Sequence, residues 1–235
     1  MSEAFDKVRG VRELPLFPLP LVLFPGVPLP LHIFEPRYRQ LLADARATNS
    51  LFGLPYFDPE RARGPLPAEG HVGTVAEIVE VQPLPDGRSN ILTVGLLRYR
   101  LEEYVDAGEP YLVGRVSFFE DEAEEASLLA ARAGRVADLF TRIARAVRTI
   151  NDDRAELPDL PSADPERLSF LVAAAMELDV EVKQELLETR SAAGRLARLG
   201  EMLAQVVGNY EARARAHKVA RGNGHTTTRL DLNDE

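Results

Sequence analysis

LPLFPLPLVLFPGVPLPLHIFEPRY, residues 14–38, is the stretch on which the fold turns. Residues 14–34 carry no Asp, Glu, Lys or Arg; they hold six prolines and thirteen Leu, Ile, Val or Phe residues. That length and lack of charge invite a membrane-spanning helix. The prolines refuse it. Thirteen apolar residues gain roughly 4–8 kcal/mol on an insertion scale, whereas six helical prolines cost on the order of 3 kcal/mol each. A signal peptide fits no better, because both signs of charge precede the stretch and no helical apolar run follows. The segment is therefore expected as extended chain buried in a soluble fold, with prolines at strand edges and turns. Pro25-Gly26 is a turn signal that divides it into two extended runs, 16–24 and 27–34.

Working outward, Glu35 precedes a proline and is pushed to extended geometry. Pro36 suits the first position of a helix. Tyr38, Leu41, Leu42 and Ala45 then recur at helical spacing, which predicts a short amphipathic helix over 36–48. Strands are expected over 51–57, 72–81, 91–101 and 111–119. A Pro-, Gly- and Arg-rich loop spans 58–70, and Pro85-Asp86-Gly87 turns a hairpin. About six short strands with no βαβ rhythm indicate a mainly antiparallel sheet or small barrel.

The pattern changes at Glu120. The acidic run Glu120, Asp121, Glu122, Glu124 and Glu125 reads as a solvated boundary at a helix N-terminus, where the dipole favours acids. Beyond it the period is helical: one helix to Ile150, a loop over 151–163, and a helix opened by Asp164-Pro165 as N-cap and first turn. A short helix over 180–187 follows, for which Asp179 is a candidate cap. A long last helix ends near Arg215. The domain expectation is a β lobe over 1–121 and helices over 122–215. Residues 216–235 are expected as a disordered tail.

The 235 residues allow one large or two small domains, and 45% apolar with 28% charged residues is ordinary globular composition. There is no cysteine, which excludes thiolate metal sites and suits a reducing cytoplasm. Net charge is −9, and the β lobe alone holds 12 basic against 17 acidic residues. Phosphate contact needs a basic face, so nucleic acid is disfavoured as a partner. A nucleotide loop is excluded by the absence of any Gly-Lys pair; no G-x-S-x-G or H-E-x-x-H occurs either. His32, His71, His217 and His225 show no metal spacing. His32 and His71 read as packed, hydrogen-bonded side chains. The basic segment Arg213, Arg215, His217, Lys218 and Arg221 reads as cations at a helix C-terminus. No catalytic residue, metal or cofactor is expected. In the polar cluster Glu35, Arg37, Tyr38 and Arg39, the pair Glu35 and Arg37 reads as an ion pair or cap that pins the helix start.

The residues LPLFPLPLVLFPGVPLPLHIFEPRYRQLL, then HVGTVAEIV, LPDGRSNILTVGLLRYRLEEY, PYLVGRV and LDVEVKQELLETRSAAGRLARLGEML, resemble in order the N-terminal substrate-binding domain of the ATP-dependent Lon protease. The resemblance covers about residues 10–208. It implies an α+β fold: a small antiparallel β pseudo-barrel, similar to the PUA barrel, followed by a helical bundle. It also implies engagement of unfolded or degron-bearing polypeptide. The chain ends where the family's ATPase would begin, so the expectation is a stand-alone, non-enzymatic binding module. Its partners would be unfolded or degron-bearing segments, with full-length Lon or another protease as a second kind. Phe24, Leu31, Phe34, Tyr38 and Tyr56 are the candidate contacts for apolar polypeptide. The alternative is nucleic-acid or nucleotide binding through the PUA-like barrel.

Overall fold

A computed structural model describes residues 3–153 and 164–223. A short helix α1 (Glu3–Lys7) leads into six strands: β1 (Glu13–Leu16), β2 (Pro28–Ile33), β3 (Leu51–Leu54), β4 (Val72–Pro83), β5 (Ser89–Val105) and β6 (Leu112–Phe119). Helix α2 (Pro36–Ala47) lies between β2 and β3. Four further helices follow: α3 (Ala126–Ile150), α4 (Pro165–Ala175), α5 (Val180–Glu188) and α6 (Ala192–Asn223).

The strands run β2-β5-β4-β3-β1-β6, and β6 pairs back onto β5. Five strands thus close a small barrel, and β2 is added outside on β5. The sheet is mainly antiparallel, as expected: β1 and β3 are parallel while every other strand pairing is antiparallel. The chain leaves β1, runs through β2 and α2 as a crossover, and re-enters alongside β1 in the same direction. One correction concerns the first extended run. Regular strand stops at Leu16, and residues 17–27 are irregular save for a bridge from Leu19 to Tyr56. Phe17 and Leu19 still donate to the Gly53 and Pro55 carbonyls at 2.8 and 3.2 Å, while Pro18 and Pro20 have no N–H to offer a strand on the other side.

Three apolar clusters hold the molecule. The barrel interior is filled by Leu14, Leu16, Leu51, Val75, Leu97, Tyr99 and Leu101. Gly53 and Gly73 make room for Tyr99: a Cβ on either would lie within 2.8 Å of its hydroxyl oxygen. A second cluster packs α2 through Tyr38, Leu41 and Leu42 against Phe17, Ile33, Phe52 and Ile91. The third belongs to the helices but takes in Phe24 and Val72 from the β part. Barrel and helices are therefore joined by shared core.

Asp164 caps α4, its carboxylate accepting from the Arg167 N–H at 2.9 Å. Asp179 makes no side-chain cap. Helix α6 continues to Asn223, so residues 216–223 of the expected tail are helical; residues 224–235 lie outside the described residues, as do residues 154–163 of the expected loop.

Candidate functional site

The proline-rich stretch builds an apolar surface by a simple alternation. In β2 the odd positions Leu29, Leu31 and Ile33 turn toward the second core, Ile33 fully and the two leucines only half-buried. Leu19 and Leu21 from the irregular segment pack on the same core and are also half-buried. Gly26, at φ 78°, turns the chain sharply, and its N–H donates to the Gly95 carbonyl at 2.8 Å. Gly95 in turn donates to Val27 at 3.0 Å. The backbone there is so close that a Cβ on Gly95 would sit 2.2 Å from the Phe24 carbonyl oxygen. This contact fixes the segment across β5 and leaves a strip of half-exposed leucines with no charge among residues 14–34.

The five candidate residues separate by burial. Phe24 is 0% exposed and packs on Phe170, ring centroids 5.9 Å apart. Truncating such a side chain to alanine opens a cavity worth roughly 3–5 kcal/mol, so it is a core residue. Tyr38 is likewise core, its ring 4.0 Å from that of Phe17 and covered by the Arg37 guanidinium at 4.5 Å. Both are therefore withdrawn as contacts, because a ligand could reach them only after the packing opened. Leu31 and Tyr56 are half-buried, and Phe34 is 58% exposed, stacked on His32 at 6.0 Å. Burial is the main cause that pushes the Tyr56 phenol up, so it is a neutral hydroxyl at pH 7. Leu19, Leu21 and Leu29 complete the strip. Their signal was present in the alternation of leucine and proline, but the prolines alone do not say which face stays open.

Glu35 pairs with Arg37 at 2.8 Å, both partly exposed, and Glu35 makes no side-chain cap of α2. His32 is exposed rather than packed, with Nδ1 2.7 Å from the Asn90 side-chain oxygen. His71 is mostly enclosed, and its Nε2 has no hydrogen-bond partner. Burial holds its pKa below the ordinary value.

The acidic run hides a structural centre. Asp121 is 2% exposed at its side chain and accepts from Arg98 of β5 and from both terminal nitrogens of Arg195 of α6. Arg98 also donates to the Leu187 and Thr189 carbonyls, at 2.9 and 2.8 Å. Arg195 donates to Ser169 Oγ at 3.0 Å and stacks over Phe170 at 4.0 Å. Glu124 accepts from the Ala193 N–H at 2.9 Å and from Ser191 Oγ at 2.7 Å. These hydrogen bonds, that from Ala193 first, hold its carboxyl below the usual range. So the residues linking barrel to bundle are pinned at two points.

Two cavities open on the surface, and the second borders this centre. A cleft of about 740 Å³ lies between α3, the end of α4 and α6, lined by Phe140, Ile143, Val147, Met176, Met202 and Val206. A groove of about 530 Å³ lies at the junction, bounded by Pro25, Gly26, Arg98, Phe119, Glu166 and Arg167. Among the described residues, no three His, Asp or Glu are placed to hold a metal ion. No helix among them is long and apolar enough to cross a membrane.

A small barrel that carries a C-terminal set of helices defines a class of α+β domain. Solved structures share it. The crystal structure of a Lon N-terminal domain protein from Xanthomonas campestris matches at TM-score 0.56 and 24% identity, over 80% of this chain and 97% of that one. The N-terminal domain of a Mycobacterium avium complex Lon protease matches at TM-score 0.58 and 20% identity, over 82% and 98%. The chain belongs to the ATP-dependent protease La (LON) substrate-binding domain family, whose model matches residues 13–205. Lon protease 1 of Syntrophobacter fumaroxidans is 32% identical over 192 residues, 79% of this chain. Lon protease 2 of Herpetosiphon aurantiacus is 29% identical over 206 residues, 86% of this chain. The chain spans about a quarter of the length of these relatives, 23% and 25%.

Proposed function

We propose that this protein is a non-enzymatic module that binds exposed apolar segments of unfolded or degron-bearing polypeptide, in the cytoplasm. The observation that carries this is the strip of half-buried leucines, Leu19, Leu21, Leu29 and Leu31, which pack on one core while the exposed Phe34 stacks on His32 on the other face of the segment. Leaving such residues at the surface forgoes apolar burial, roughly 25 cal/mol for each Å² not covered, and contiguous exposed apolar surface is a mark of interaction sites. Family membership supports the same reading. Clients held this way would be passed to a protease, with full-length Lon as the first partner to test. Nucleic acid finds little to hold here, since acids outnumber bases on the β part.

The test is titration of a fluorescent, permanently unfolded carboxymethylated protein, with Leu29→Ser/Leu31→Ser as comparison. Saturable binding at tens of micromolar or tighter is expected, weakened at least fivefold by the double variant. No saturation at 100 µM would overturn the proposal. Folding of the variant is checked by circular dichroism before binding is compared.

A further inference from the structure

The strand pairing restricts how a polypeptide can be held. A closed barrel has no free edges, and in the part of the sheet that carries β2 the edges open to another strand are the outer side of β2, and β4 beyond the residues paired to β3. Just before β2, the Gly95 N–H donates to the Val27 carbonyl, so the residue 27 carbonyl faces β5. In an antiparallel ladder hydrogen-bonded pairs alternate, and the register Pro28↔Val94, Leu29↔Thr93, Pro30↔Leu92 then points residues 28, 30 and 32 outward. Two of these three are proline. The open side of β2 offers one N–H, that of His32.

The same count applies to β4. Leu92 and Asn90 face β4, so their partners Glu80 and Gln82 face inward. The outward positions beyond Glu77 are Ile78, whose N–H is already given to the Ser50 carbonyl at 2.9 Å, Val81, and Pro83. The register shifts between Ile78 and Glu80, placing Val79 as an extra residue that bends the edge. Each edge thus keeps a single outward N–H at its regular ladder positions, His32 on β2 and Val81 on β4, while the leucine strip beside β2 remains half-exposed.

We propose that the leucine strip of this module recognises polypeptide through side chains and not by adding it as a strand to β2 or β4. The claim rests on the polypeptide-binding reading. Its ligand class is an extended apolar segment whose backbone amides are left to solvent, so backbone chemistry is not read and side-chain apolarity is. Strand addition would instead draw its affinity from main-chain hydrogen bonds, each worth roughly fivefold.

The experiment is fluorescence anisotropy with two labelled ten-residue peptides of alternating leucine and serine, one unmodified and one N-methylated at two alternate amides. Equal affinity within about threefold is the expected result. Loss of about 25-fold on methylation, with the unmodified peptide still binding, would overturn side-chain recognition and leave the polypeptide-binding reading intact. Binding of neither peptide would overturn the reading and the inference with it. Because the ligand and not the protein is altered, loss of folding cannot imitate either result.

Discussion

Replacing Asp121 with asparagine keeps the shape of the side chain and removes its charge. What remains is two guanidinium groups, Arg98 at 2% and Arg195 at 0% side-chain exposure, with no counter-charge between them. Burial already holds the Arg98 pKa down, and Arg195 pushes it the same way. Removing one member of a buried ion network costs about 3–5 kcal/mol, because the uncompensated charge stays buried. That is a large fraction of the 5–15 kcal/mol typical of a folded protein. At about 2–4 °C per kcal/mol for a chain of this size, the midpoint of thermal unfolding should fall by about 6–20 °C. Urea unfolding at pH 7, followed by far-ultraviolet circular dichroism, measures the loss directly, and a constant m-value shows that the transition is otherwise the same. A second arm separates the cost of breaking the network from its net worth. Asp121→Leu with Arg98→Met and Arg195→Met should recover most of the lost stability, since apolar groups of similar volume often replace a buried network without loss. A loss below about 1 kcal/mol in Asp121→Asn would refute the claim that this centre ties barrel to bundle.

Further outcomes follow from other residues. Tyr99 is fully buried and its hydroxyl has no hydrogen-bond partner, so Tyr99→Phe should be neutral or stabilising by up to about 1 kcal/mol in the same urea assay. Glu124 has a folded pKa depressed below 4.5; its contribution is present above the unfolded value and is lost as pH falls through the folded one. Glu124→Gln should therefore flatten part of the acid limb of a stability–pH profile below about pH 4.5. His71 is held below its ordinary 6.5 by burial. The unfolded chain takes up that proton first, so stability falls as pH drops below 6.5, and His71→Leu should lessen the fall in thermal melts between pH 7 and 5. Pro28→Val with Pro30→Val restores two outward N–H groups on β2, and sedimentation should then show more concentration-dependent self-association than the native chain at the same concentrations.

Much of the fold was legible because its signals are local. Proline and glycine punctuate the chain whatever surrounds them: Pro25-Gly26 makes its turn, Pro36 opens α2, and Asp164-Pro165 caps and opens α4. What failed was long-range. Five acids between Glu120 and Glu125 look alike in sequence; Asp121 differs only because Arg98 and Arg195, 23 and 74 residues away, arrive beside it. The site divided in the same way. Phe24 and Phe34 are equivalent as letters, yet the first faces Phe170 across a helix over 130 residues further on and the second faces water. Period-two alternation could place Leu29, Leu31 and Ile33 on one face, but how deeply each is covered depends on α2 and on residues 17–27, whose irregular path no period describes.

The prolines of residues 14–34 now answer two requirements together. A surface that holds unfolded chain must expose leucines, and exposed leucines beside an open strand are the ordinary route to aggregation. Proline at 28 and 30 removes that hazard where it is greatest, because those are the positions that face outward from β2. Proline at 18 and 20 leaves no N–H on the side of this segment that faces away from β3. The chain can therefore present apolar side chains without presenting a template for pairing. On this argument the segment that looked most like a membrane span is apolar in its side chains and poor in outward backbone donors, because Pro18, Pro20, Pro28 and Pro30 stand where its backbone turns away from β3 or β5.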